Sequence, residues 1–131
     1  MEVMKSKYRT VMIIEDNAID LFIATKVIKN NNFAEKIINY DSAFDAFRHV
    51  QSVKEHSDLP DIIFVDLNLG DTTGFDFIEL FLTLPKAIIN AIKIFVVSST
   101  VDTKDFERIK SYEIEIGFKG KYIDEKFLNS I

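Results

Sequence analysis

A doubly wound α/β fold, with five parallel strands between two layers of helices, is predicted by three observations. Val11-Met12-Ile13-Ile14, Ile62-Ile63-Phe64-Val65 and Ile94-Phe95-Val96-Val97 are wholly apolar runs, as strands buried on both faces are. Lys36-Ile37-Ile38-Asn39-Tyr40 and Ile114-Glu115-Ile116-Gly117-Phe118 are more polar and read as edge strands. Helix-like segments follow the strands, and a repeated β-α order implies parallel strands, right-handed crossovers and helices on both faces.

Each element has its own local reason. The first strand ends on Glu15-Asp16-Asn17, where Asp16 or Asn17 can cap a helix with Leu21, Ala24 and Ile28 at helical spacing, and Asn30-Asn31-Asn32 ends it. After the second strand, Ser42-Ala43-Phe44-Asp45 resembles a capping box, opening a helix with Ala43, Phe47 and Val50 on one face. The third strand stops on Asp66, and Leu67-Asn68-Leu69-Gly70-Asp71-Thr72-Thr73-Gly74 follows as a polar, glycine-bounded loop. Residues 75–84 then form an apolar helix ended by Pro85, with Phe75, Phe77 and Phe81 as core. Residues 86–90 carry no clear signal. The fourth strand ends on Ser98-Ser99-Thr100, and capping chemistry at Asp102 and Asp105 starts a helix reaching about Tyr112. Lys121 follows the fifth strand, and residues 124–131 make a short terminal helix. With the second and fifth strands at the edges, the strand order is 2-1-3-4-5, the flavodoxin-like arrangement. No repeat, low-complexity tract or linker interrupts the chain, so residues 1–131 are read as a single domain.

Composition narrows the function. A net charge of -5 argues against non-specific binding to nucleic acid or an anionic membrane. The absence of cysteine removes disulfides and thiolate metal sites, and two histidines, His49 and His56, both read as surface residues, are too few for a histidine-based zinc centre. No apolar run approaches the ~20 residues of a membrane helix, and the four-residue run after the N-terminus is too short for a signal peptide. The expected location is the cytoplasm.

Parallel strands place their carboxyl ends on one edge of the sheet, where open α/β folds put their chemistry. Glu15, Asp16, Asp66, Ser98 and Lys121 thus converge in one cleft, with Asp66 the candidate phosphate acceptor. Carboxylates this close repel by about 4 kcal/mol per pair at about 4 Å and an effective dielectric near 20. Either one takes up a proton or a cation sits among them. Hard oxygen ligands without histidine or cysteine favour Mg2+, which keeps several waters and leaves room for a phosphate oxygen. Lys121 adds a point charge on a flexible stem, suited to a phosphoryl group.

These residues resemble the response-regulator receiver domain of bacterial two-component signalling, over essentially the whole chain. The resemblance implies that Glu15 and Asp16 are the metal-binding acidic pair and Asp66 the phosphorylated aspartate. Asn68 lends its backbone carbonyl to the metal, and Gly74 ends the loop. Ser98 is the hydroxyl that bonds the phosphoryl group, Phe118 the aromatic switch and Lys121 the invariant lysine. Three residues depart from the family pattern. Tyr122 follows the lysine where proline is usual, so a trans bond and a shifted loop are expected there. Gly70 stands where proline is common and should loosen its loop. Glu15 replaces an aspartate, placing its carboxylate one methylene farther out, at a reach that suits a water-mediated metal contact.

The implied activity is transfer of a phosphoryl group to Asp66 from a sensor histidine kinase, a histidine phosphotransfer protein or a small acyl phosphate. The charge then draws Ser98 inward, and Phe118 turns into the vacated space. The domain is not otherwise an enzyme. Output is expected through a downstream protein target docking on the 102–112 helix, the last strand and the last helix, without nucleic acid or membrane, and pairing of two copies stays open. A flavodoxin-type cofactor site is excluded because Glu15 and Asp16 would repel its phosphate. A phosphohydrolase of the haloacid-dehalogenase type would want an aspartate at Asn68. The alternative is a degenerate receiver that binds a partner without phosphorylation, marked by Tyr122 and the short last helix.

Overall fold

The computed structural model describes residues 5–131. Its main sheet has the order β2-β1-β3-β6-β7, built from β1 (Tyr8–Ile14), β2 (Ala34–Tyr40), β3 (Ile62–Val65), β6 (Lys93–Ser98) and β7 (Ile116–Gly120). Every neighbouring pair in it is parallel. This is the 2-1-3-4-5 order of a flavodoxin-like core, because β4 (Asn68–Leu69) and β5 (Thr72–Thr73) form only a small separate antiparallel hairpin. The helices are α1 (Ala18–Asn30), α2 (Ala43–Ser52), α3 (Gly74–Phe81), α4 (Lys86–Ala91), α5 (Thr103–Ser111) and α6 (Glu125–Ser130). Among the described residues no helix is long and apolar enough to cross a membrane.

The two-residue period of the strands divides the core into two layers. Met12, Ile14, Ile63, Val65, Ile94 and Val96 face α2, α3 and Ile109 of α5. Their neighbours Val11, Ile13, Ile62, Phe64 and Val97 face α1 and Leu128 of α6. Because β3 is buried on both faces and paired on both edges, its last residue hands the chain to Asp66 at a fixed place. The registers Ile14↔Tyr40, Ile14↔Val65, Val65↔Val96 and Ser98↔Gly120 align the carboxyl ends of all five strands.

Several expectations change. Residues 86–90, which carry no sequence signal, lie in helix α4, following Pro85. Helix α3 stops at Phe81, with Leu82 as its C-cap, before Pro85 is reached. The last strand is shifted two residues along, to Ile116–Gly120, because β6 fixes its register: a Cβ on Gly117 would lie 2.3 Å from the Phe95 ring, so only glycine fits there. Gly70 opens the turn between β4 and β5. It adopts φ +74° in the two-residue turn of the β4–β5 hairpin, a conformation glycine reaches without a Cβ clash. The Lys121–Tyr122 peptide is cis, not trans. His49 is half-buried, its Nδ1 2.8 Å from the Tyr40 hydroxyl, and burial followed by the Lys36 charge lowers its pKa; His56 is exposed.

Candidate phosphoacceptor site

A cleft of about 630 Å3 opens at the carboxyl edge of the sheet, lined among others by Glu15, Asp16, Asp66, Asn68, Ser98 and Lys121. Glu15, Asp66 and Ser98 are three of only four buried polar or charged residues among those described. Strand pairing delivers them: β1 carries Glu15 past Ile14, β3 carries Asp66 past Val65, and Ser98 closes β6. Lys121 lies just beyond β7, tied down by its backbone N–H donating to the Ser98 carbonyl at 3.2 Å.

Lys121 is the hub. Its Nζ donates to Glu15 Oε1 at 2.7 Å, lies 2.7 Å from Asp66 Oδ2, and pairs with Asp20 Oδ2. Asp66 Oδ1 accepts from the Asn68 backbone N–H at 3.0 Å and from the Ser98 hydroxyl at 3.4 Å. Both oxygens of Asp66 are therefore held, and the carboxylate cannot swing freely. Burial pushes the Glu15 carboxyl up to about 7, helped by the Asp66 charge and opposed by Lys121. Burial alone would lower the Lys121 ammonium's pKa, but hydrogen bonds to Asp20, Asp66 and Glu15 outweigh it and hold it above its usual value.

Oxygens of Glu15, Asp20 and Asp66 all lie within 4.8 Å of one another and could hold a metal ion. The donor set fits a hard divalent cation: it is oxygen alone, and one positive group, the Lys121 ammonium, already sits against all three carboxylates. Asp20 is a residue that sequence reasoning missed. Asp16 lines the same cleft but is exposed and outside that cluster, on the Gly70 side, where a Cβ on Gly70 would stand 3.2 Å from its Oδ2. Asn68 is exposed at the rim, its Oδ1 accepting from Gly70 N at 3.4 Å. Gly74 packs directly beneath Asp66 and donates its N–H to the Leu67 carbonyl at 2.9 Å.

Phe118 stands apart from the cleft. It is 37% exposed and meets Phe106 of α5 edge-on, with ring centroids 4.9 Å apart. Ser98 is already turned toward Asp66, its hydroxyl also 3.3 Å from the Thr100 carbonyl.

A flavodoxin-like sheet with an acid-and-lysine cleft at its carboxyl edge defines a class of doubly wound α/β domains that carry their site outside the carboxyl ends of the strands. Within that class the chain belongs to the response regulator receiver domain family, which it matches over residues 11–124. It is similar to a response regulator receiver protein from Dyadobacter fermentans, at 29% identity and a TM-score of 0.81 over 93% of each chain. A two component response regulator from Cytophaga hutchinsonii shares the fold at 22% identity and a TM-score of 0.83, over 96% of this chain and 94% of that one. So does the Mn(2+)-bound form of response regulator Rcp1, at 18% identity and a TM-score of 0.73, over 93% of this chain and 88% of that one. No curated protein sequence matches significantly.

Proposed function

We propose that this receiver domain is a Mg2+-dependent phosphoacceptor that takes a phosphoryl group on Asp66 from a histidine kinase or histidine phosphotransfer protein, in the cytoplasm, and signals through protein contacts. The observation that carries the reading is the double restraint on Asp66, with Lys121 on one oxygen and the Asn68 N–H and Ser98 hydroxyl on the other, at the floor of an open cleft.

Glu15 and Asp66, joined by Asp16 and the Asn68 carbonyl from the rim of the same cleft, would hold the cation, while Asp20 of the carboxylate cluster stays on Lys121. When bound, the cation neutralises charge on the transferred oxygens. The solved Mn(2+)-bound form of a response regulator of the same fold supports a divalent ion in this kind of site. One carboxylate oxygen of Asp66 forms the new O–P bond while the P–N bond of the donor phosphohistidine breaks and its electron pair stays on the imidazole. Lys121 supplies a fixed positive charge to the phosphoryl oxygens, and the Ser98 hydroxyl donates to another of them. The chain's contribution is positioning and electrostatics, the main source of catalysis in phosphoryl transfer. The product is an acyl phosphate on the domain itself, so the activity is self-modification followed by hydrolysis.

The test is incubation with acetyl phosphate and Mg2+, read by intact mass and Phos-tag gels. One phosphoryl adduct is expected on the wild type and none on Asp66→Ala. An unmodified wild type would turn the reading to the phosphorylation-independent interaction domain, which the six-residue α6 favours. An adduct persisting on Asp66→Ala would place the acceptor elsewhere.

A further inference from the structure

Among the described residues four helices begin with a hydroxyl, amide or acid side chain followed three residues later by aspartate: Asn17–Asp20, Ser42–Asp45, Thr73–Asp76 and Asp102–Asp105. Such a pair is the signature of a capping box, in which the later acid reaches back to the cap's own N–H. Asp76 and Asp105 do so, accepting from Thr73 N at 2.8 Å and Asp102 N at 3.3 Å. Asp20 does not. Its expected donor, Asn17 N, goes to Glu15 Oε2 at 3.3 Å, while the Asp20 carboxylate, with a side chain only 17% exposed, turns inward to Lys121.

We propose that Asp20 is a positioning residue that anchors Lys121 through the phosphotransfer cycle, a role that rests on the phosphoacceptor reading above. An ammonium has three N–H donors, and at Lys121 the three carboxylates of Glu15, Asp66 and Asp20 match them one for one. Two of these acceptors have other duties in the reaction. The Asp66 carboxylate loses its own charge when it becomes an acyl phosphate, the negative charge then lying farther out on the phosphoryl oxygens, and Glu15 would be shared with the cation when one is bound. Asp20 alone keeps its charge and its place, on the first turn of α1, where Asn17 Oδ1 holds its backbone N–H at 3.0 Å. It thereby keeps the ammonium beside Asp66 when its other partners let go.

Three readouts test this. In the metal-free protein, without any phosphodonor, the Lys121 15Nζ ammonium resonance is expected to be slow in exchange, to be lost or strongly shifted in Asp20→Asn, and to return in Asp20→Glu. At saturating Mg2+ and acetyl phosphate, Asp20→Asn is expected to slow phosphorylation on the order of tenfold, the effect of losing one charge-assisted hydrogen bond. Its Mg2+ half-saturation stays within about threefold, and the slowing vanishes in a Lys121→Met background. An unchanged Lys121 resonance in Asp20→Asn overturns the proposal whether or not Asp66 is ever phosphorylated, which separates its failure from that of the phosphoacceptor reading. Additive rate losses in the double variant also overturn it. So does a large rise in Mg2+ half-saturation with an unchanged saturating rate, which would make Asp20 a direct metal ligand.

Discussion

Replacing Gly74 by alanine probes the floor of the site with a single methyl group. A Cβ there would lie 2.6 Å from the Asp66 carbonyl oxygen and 3.1 Å from both the Asp66 carbonyl carbon and Leu67 Cα. The first contact is about 0.8 Å short of ordinary van der Waals distance. All three atoms are backbone, so no side-chain rotation relieves the clash. The segment is also pinned, with Asp66 N donating to the Ile14 carbonyl at 3.1 Å and Gly74 N to the Leu67 carbonyl at 2.9 Å. Overpacking of this kind costs about 1–3 kcal/mol, offset by about 0.4–1 kcal/mol from the stiffer unfolded chain. Taking the middle of these ranges, a net cost of about 1–2 kcal/mol over a urea slope of about 2 kcal/mol/M, the unfolding midpoint of Gly74→Ala should fall by roughly 0.5–1 M. The displacement falls on the acceptor residue itself, so phosphorylation by acetyl phosphate should slow by ten- to a hundredfold, on the order expected for a misplacement approaching 1 Å. Gly120→Ala is the control: nothing lies within 4 Å of its added Cβ, and it should stay within about 0.5 kcal/mol of wild type. A Gly74→Ala protein that matches wild type in both midpoint and rate would refute the argument that this glycine sets the height of Asp66.

Two further outcomes follow from burial. The folded protein keeps a proton on Glu15 up to about pH 7, where the unfolded chain releases it near 4.5, so metal-free stability should decline as pH rises between those values and level off above them. The loss is at most about 3 kcal/mol, and saturating Mg2+ should abolish the slope by keeping Glu15 ionised; urea melts across that range, with and without Mg2+, check it, and a pH-independent metal-free midpoint would contradict it. Phe64, 1% exposed, touches the rings of Phe33, Phe95 and Phe127 at centroid distances of 6.3, 5.9 and 6.2 Å. Phe64→Ala should therefore cost about 3–5 kcal/mol in denaturant unfolding, and a loss below about 1.5 kcal/mol would mean that this aromatic cluster does not hold α6 to the sheet.

How far the sequence could be read depended on whether the signal was local. The strands β1, β3 and β6 were legible because burial on both faces makes residues 11–14, 62–65 and 94–97 apolar throughout. Helix α4 left no trace, since its six residues bury no side chain and impose no periodic pattern. The last strand slipped by two because Ile114-Glu115-Ile116 alternates as a strand would, whereas the true register is set across the sheet by the fit of Gly117 against Phe95. The convergence of Glu15, Asp66, Ser98 and Lys121 followed from topology alone. Asp20 was hidden for a different reason. An acid three residues after a cap residue reads as part of the helix start, and only the diversion of Asn17 N–H to Glu15 shows otherwise.

The switch expected from the sequence has two parts, a hydroxyl drawn inward and a ring that follows it. Here they are not in step: Ser98 already meets Asp66, while Phe118 stays outward on Phe106. Of the two parts of that expected switch, the one still to move is therefore Phe118, against α5, and not Ser98. Helix α5 contributes a single buried side chain, Ile109. Its other ties include the Phe106–Phe118 pair, the Arg108–Glu79 ion pair at 2.5 Å with both side chains about half exposed, the Arg108 guanidinium 4.2 Å from the centre of the Phe75 ring, and the Tyr112 hydroxyl on the same Glu79 carboxylate at 2.7 Å. An aromatic pair contributes about 0.5–1.5 kcal/mol and an exposed ion pair about 0–1 kcal/mol. A new charge about 4 Å from another acts with about 4 kcal/mol at an effective dielectric near 20. The tyrosine hydrogen bond adds about 0.5–1.5 kcal/mol and the guanidinium–ring contact about 0.5–1 kcal/mol. The surface ties of α5 are thus of the same order as the free energy that a phosphoryl charge on Asp66 would bring to the cleft, and loosening any one of them shifts the balance toward an inward Phe118.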